Sequence, residues 1–255
     1  VERDLRAQGL LRVDRGGADT PFTARMLADN FVRIALFDEY VERGGVLVAE
    51  QTPSRLRRWD IPVRLDLTFG PTVPAGKRRR DTAALASYAR QLARATGHPI
   101  DVVSSRPNFH VLVLHEDERR AYGDALRRLV PGVGDVAVRT VEEMPRDTFC
   151  LVFAFSRGDS ASYTRAVAVI RAEHPDLLRL SCLHEEIAQG LGLANDTPQA
   201  RPSIFNDDEE FALLTRHDEL LLRMLYDDRM QTGMDAARAR PVAAALASEL
   251  LDGES

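Results

Sequence analysis

Apolar residues recur at three- and four-residue intervals through Met26, Leu27, Phe31, Ile34, Phe37 and Tyr40, with Asn30 on the same stripe. That spacing predicts a helix over residues 20–40, capped by Thr20, with Pro21 in its first turn. Gly44-Gly45 then ends the helix or opens a turn. Residues 59–69 switch to alternation of apolar and polar positions, the pattern of a half-buried strand, and Pro62 suits its beginning. A Gly/Pro-rich loop follows. Asp81 or Thr82 caps a second helix whose inner face carries Leu85, Tyr88, Ala89 and Leu92, and Gly97-His98-Pro99 stops it. The run Lys77-Arg78-Arg79-Arg80 precedes that cap and reads as a solvated loop.

Further along, strands are expected at residues 100–103 and 108–114, and a short charged helix at 116–130. A strongly apolar strand is expected at 148–155, placed at the centre of the sheet, and another strand at 163–170. His174-Pro175-Asp176 opens a helix that runs to a turn at Gly192, and helices close the chain. No repeat and no low-complexity linker divides it. The order predicts a mixed α/β (α+β) fold in one domain. Residues 1–19 form a flexible lead-in, 20–232 the domain and 233–255 a C-terminal helical tail.

Composition narrows the function. At 255 residues, 44% hydrophobic and 29% charged, the chain is of ordinary globular make-up. A formal charge of -5 gives it no general attraction to nucleic acid or anionic lipid, so neither is expected as a partner. No apolar run is long enough for a membrane span. Cys150 precedes an apolar strand and Cys182 lies in the helix after it. If the two elements pack, the thiols can pair in an exported protein or stay reduced and buried in the cytosol.

The chemistry concentrates in residues 183–196. Counted at about 100° per residue, Leu180, Leu183, Ile187 and Leu191 fall on one side of the helix. Glu185 and Gln189 fall on the other, with Glu186 beside them. The helix is expected to bury the first face and show the second.

Aligned on Gly192, this stretch resembles the H-E-x-x-H-x-x-G-x-x-H motif of metzincin zinc proteases. Glu186 matches the general base and Gly192 the turn, but Glu185, Gln189 and Asn195 stand where the three ligand histidines would be. Ser203-Ile204-Phe205-Asn206 resembles the matrixin Met-turn, with Phe205 in the Met position. Asp218 and then Leu225-Tyr226 sit at the spacing of the matrixin C-terminal helix. The same residues, within a span of 20–232, also resemble an uncharacterised alphaproteobacterial family of unknown function found in exported or lipid-anchored proteins.

The resemblance implies a zincin-like single domain: a mixed twisted sheet, a long helix, an active-site-type helix and a C-terminal helix. It implies a periplasmic or otherwise exported setting, with a lipid anchor on a removed leader as one arrangement. It also implies a pseudo-protease whose cleft, lined by Glu185, Gln189, Asn195 and Phe205, binds a polypeptide or an assembly partner. Glu186 is then a vestigial general base, and Gly192, Cys150 and Cys182 are structural. Zinc is not expected, because Gln and Asn amides are poor ligands for it. The oxygens suit a hard cation such as calcium, which Asp196 and the acids at Asp207, Asp208, Glu209 and Glu210 could help hold. Two other readings stand beside the pseudo-protease. One is an active, metallopeptidase-like hydrolase centred on Glu186. The other is a structural network in which Glu185, Gln189 and Asn195 bond to one another in place of a metal.

Overall fold

The computed structural model describes residues 1–206 and 208–253. The chain runs through α1 (Glu2–Ala7) and α2 (Ala24–Ala35) into a hairpin of β1 (Phe37–Arg43) and β2 (Val46–Pro53). Then come β3 (Val63–Phe69), α3 (Ala75–Thr96), β4 (Ile100–Val102) and β5 (Phe109–Leu114). Three short helices follow: α4 (Glu116–Arg120), α5 (Gly123–Leu129) and α6 (Asp135–Glu143). The last elements are β6 (Cys150–Ser156), β7 (Tyr163–Arg171), α7 (Asp176–Leu191), α8 (Arg216–Leu225) and α9 (Ala236–Asp252).

Five strands pair in the order β4-β3-β5-β7-β6, parallel except for β6, which runs antiparallel to β7. The fold is therefore mixed α/β, with helices on both faces of a mostly parallel sheet. Alternation sorts the side chains of the central strands. Phe109, Val111, Val113, Ala166, Ala168 and Ile170 join the main core with α2, α3, α7, α8 and α9. Leu112, Leu114, Val167 and Val169 turn the other way, onto Leu126, Val138 and Val141 of α5 and α6. Burying each such side chain contributes about 1.5–3 kcal/mol, so both helical layers are anchored through β5 and β7.

Four expectations are corrected. The helix over residues 20–40 is α2 alone. Thr23, not Thr20, caps it by accepting from the Met26 amide, and Phe37 and Tyr40 lie in β1. Gly44 and Gly45, at φ +60° and +82°, make the two-residue turn between β1 and β2. The basic run belongs to the start of α3. Lys77 Nζ donates to the carbonyls of Ala172 at 2.6 Å and His174 at 3.0 Å, while Arg78 donates to those of Gly70, Pro71 and Val73. Asp81 is not a cap: it is buried in α3 and takes two 2.9 Å bonds from the buried Arg179 of α7. The strand at 148–155 is the edge strand β6, not the centre. It reads as central because both its faces are covered: Val152 and Ala154 pack on the main core, Leu151, Phe153 and Phe155 on the smaller one.

The segment before α2 makes contacts of its own. Leu11 is buried, and Arg12 bonds Asp14, Asp19 and Glu210. At the other end, α9 packs along α2 through the buried Ala239, Ala243, Leu246 and Ala247.

Cys150 and Cys182 form a disulfide that ties edge strand β6 to α7. It closes a loop spanning 32 positions, for which chain entropy gives a stabilisation of about 3–4 kcal/mol. Urea unfolding of the Cys150→Ala, Cys182→Ala variant is expected to show a loss of that size; a loss under about 1 kcal/mol would contradict a structural role for the bond.

Candidate functional site

Helix α7 is buried along both sides from Leu178 to Leu191, apart from Leu180 and Glu185, which are half-buried. The expectation of one buried and one open face is therefore corrected, since Glu186 is 4% and Gln189 9% exposed. Every polar side chain here needs a partner or carries a desolvation cost. Arg179 has Asp81 and Asp176. His184 Nδ1 accepts from the Leu214 amide at 3.0 Å, its ring stacks on Tyr88 at 3.9 Å, and its carbonyl accepts from the Tyr88 hydroxyl. Two glycines let the helix sit this close. A Cβ on Gly190 would lie 2.5 Å from Phe109 Cζ, and the Gly190 carbonyl accepts from Trp59 Nε1. Gly192 turns the chain at φ +128°, where a Cβ would lie 2.2 Å from the Arg57 carbonyl.

Glu185 and Glu186 meet. One carboxylate oxygen of each lies within 4.8 Å of the other and of Cys150 Sγ, which is engaged in the disulfide. Desolvation holds the Glu185 carboxyl well above the usual range, reinforced by Asp196, Glu186, Glu209 and Glu39. Glu186 is raised likewise, by desolvation first and then by Glu39 and Asp196. Tyr40 is raised by desolvation and by Glu39, Asp196 and Glu186. Each of these neighbouring carboxylates raises the glutamate it acts on. Glu186 Oε2 is buried with no hydrogen-bond partner among the described residues, which costs about 1–3 kcal/mol or more for a group able to ionise.

The other expected site residues divide. Gln189 joins the cluster by donating from Nε2 to Asp196 Oδ1 at 3.1 Å. Asn195 does not: its amide donates to the Arg33 carbonyl at 2.8 Å and its backbone N–H to that of Ile34, which ties it to the end of α2. The structural network of Glu185, Gln189 and Asn195 is therefore not formed among the described residues. Phe205 is fully buried in the main core instead of lining an open cleft. Its turn is held by Asp218, which accepts from Ser203 Oγ at 2.5 Å, the Ile204 amide at 3.1 Å and the Thr215 amide at 2.9 Å. Of the acids after it, Glu210 is committed to Arg12 and Arg201, Asp208 accepts from the Glu210 amide, and Asp207 lies outside the described residues.

A model of a protein family of unknown function (DUF2927) matches residues 24–245. The chain belongs to that family. No curated protein and no solved structure matches it. In this DUF2927 chain the six histidines are all bonded elsewhere: His98 to the Ile61 carbonyl, His110 to Asp66, His115 to Thr72, His174 to the Phe149 carbonyl, His184 to Leu214 and His217 to Asn30. The contributor missed from sequence is Glu39, hidden in a stretch read as helix. The Gly44-Gly45 turn between alternating residues was the signal for the hairpin that carries it.

Burial pushes the His184 imidazole down to about 3 from its ordinary 6.5. Between those values the unfolded chain binds a proton that the fold excludes. This group's contribution to stability is therefore lost as pH falls from 6.5 toward 3, by at most about 1.4 kcal/mol per pH unit. Urea unfolding across that range is expected to show a shallower acid slope in His184→Asn than in the wild type. Equal slopes would place the proton uptake elsewhere.

Proposed function

We propose that this DUF2927 chain is a metzincin-like domain without the zinc-binding triad, which holds an extended polypeptide segment along β6 in an exported protein. The observation that carries the reading is the position of β6. It pairs only with β7, has no backbone hydrogen bond to any other segment among the described residues, and begins at Cys150, beside Glu185 and Glu186. An unpaired sheet edge offers a row of backbone donors and acceptors to a second strand. Metzincin clefts take extended peptides against an edge strand, so the analogy and the geometry favour the same surface.

Three features support the frame. Glu186 and Gly192 keep the general-base and turn positions, while His184 is committed to Leu214 and Tyr88. The Ser203-Ile204-Phe205 turn rests on Asp218 of α8, and Tyr226, just past that helix, donates to the Leu191 carbonyl at the end of α7. Bonded imidazoles and carboxylate-lined space disfavour zinc. The disulfide supports an oxidising, exported setting such as the periplasm, and no helix is long and apolar enough to cross a membrane among the described residues.

A second reading, a hydrolase with Glu186 as its proton donor, is favoured by one observation. Burial raises its carboxyl well above the usual carboxylate range, which favours the protonated form that a general acid needs.

The test is selection of linear twelve-residue peptides on the folded chain, followed by amide hydrogen exchange with the best synthetic binder. Protection of residues 150–156, with the peptide recovered intact, is the expected result. Protection confined to other surfaces would overturn the reading. Cleavage that disappears in Glu186→Gln would favour the hydrolase.

A further inference from the structure

We infer that Arg64, Arg157 and Arg165 form a binding site for a phosphate group, at the end of the sheet where the parallel strands begin. A cleft of about 300 Å³ opens there, and the three arginines line it together with Ile61, Pro107 and Asn108.

Strand register brings the arginines together. Asn108, the residue before β5, donates from its amide to the Arg64 carbonyl of β3 and accepts at its carbonyl from the Ala166 amide of β7. Arg64 and Arg165 therefore flank Asn108, two strand spacings or about 10 Å apart. Val63, Leu65, Phe109 and Ala166 all enter the main core, so alternation turns Arg64 and Arg165 to the opposite face. Arg157 comes from the segment just after β6, the strand beside β7.

Three observations point to an anion. First, the three guanidiniums form no ion pair among the described residues, and Asp101, level with Arg64 on β4, makes none with it. Arginines elsewhere are met by carboxylates: Arg179 by Asp81 and Asp176, Arg229 by Asp227 and Glu249. Uncancelled charge of one sign on the walls of a cleft draws in a counter-ion. Second, neutral groups orient the cations. Arg64 Nε donates to the Arg106 carbonyl at 2.6 Å, and Arg165 Nη1 to the Leu129 carbonyl at 3.2 Å. A guanidinium carries five N–H donors, so most remain for a ligand. Third, Asn108 brings no charge and is fixed, since its side chain bonds the Arg64 amide and the Pro62 carbonyl.

The arrangement selects the ligand. An arginine fork matches carboxylate and phosphate alike. Here the donors come from three separate segments, whereas a carboxylate presents its acceptors in one plane. A phosphate group presents oxygens in several directions, and its charge of up to about -2 offsets most of the three positive charges. The volume is at the lower end of the range for small-molecule clefts, and Ile61 and Pro107 add an apolar wall. A small phosphomonoester fits these features, and free phosphate shares the same chemistry.

The site goes beyond the polypeptide reading. Arg157 lies past the end of β6 remote from Cys150, about 20 Å along the strand, so the binding isotherm and the exchange footprint fail separately. The experiment titrates the full chain by calorimetry, at low ionic strength, with phenyl phosphate, inorganic phosphate and benzoate.

The expected result is one phenyl phosphate per chain with a dissociation constant below about 1 mM, weakening as salt is added. Tighter binding of phenyl phosphate than of inorganic phosphate assigns the site to a monoester; the reverse order assigns it to the free ion. Arg64→Gln, Arg157→Gln and Arg165→Gln should each weaken binding about tenfold, while Arg223→Gln on α8 leaves it unchanged. If either strand variant does not fold, Arg157→Gln supplies the reading, because Arg157 is exposed. No saturable binding of either phosphate by the folded wild type would overturn the proposal. So would unchanged affinity in Arg157→Gln, or benzoate binding as tight as that of phenyl phosphate.

Discussion

Helix α7 is surrounded for most of its length, by the sheet on one side and by α3 and the segment from Gly192 to α8 on the others. This enclosure decides what its polar residues can do. A polar side chain in such a place must be paired, neutral or bound to something. Arg179 is paired by Asp81 and His184 is neutral and bonded. Gln189 is bonded to Asp196. Glu186 is the member for which the described residues supply no complete answer. The candidate site is the place where packing has left a requirement open.

The supports around that place are polar. Asp218 holds the Ser203 turn under the helix, Asn195 locks the following loop to α2, and Tyr226 fixes the helix end at Leu191. The disulfide holds the edge strand from the other side. Together they fix two carboxylates beside the start of an edge strand that pairs with β7 alone among the described residues. Each of the six histidines has a hydrogen-bond partner other than the two glutamates.

Much of the fold was legible because its central strands obey simple alternation. Phe109 to Leu114 and Tyr163 to Arg171 read as strands and are strands, and the turn at Gly192 follows from a glycine that nothing else can replace. The errors have physical causes. A helical stripe ran on through Leu36 into β1, because Phe37 and Tyr40 happen to keep its spacing. An edge strand looked central because two cores cover it. In the site, the pairing of Cys150 with Cys182 and the meeting of Glu185 with Glu186 depend on packing that spacing leaves open. Adjacent positions diverge by about 100° on a helix, yet long side chains can still converge where the surroundings leave one space for both. Glu39 was missed because the helical stripe masked the hairpin that carries it, and its electrostatic effect on both glutamates comes from a strand distant in sequence.

The central claim is that Glu185 and Glu186 share a desolvated, acidic space. Infrared spectra of the wild type and Glu186→Gln, followed through a pH titration, test it directly. A protonated-carboxyl stretch is expected to persist in the wild type to higher pH than an ordinary glutamate's, and to be lost or markedly reduced in the variant. Titration of every wild-type glutamate in the ordinary carboxylate range would contradict it.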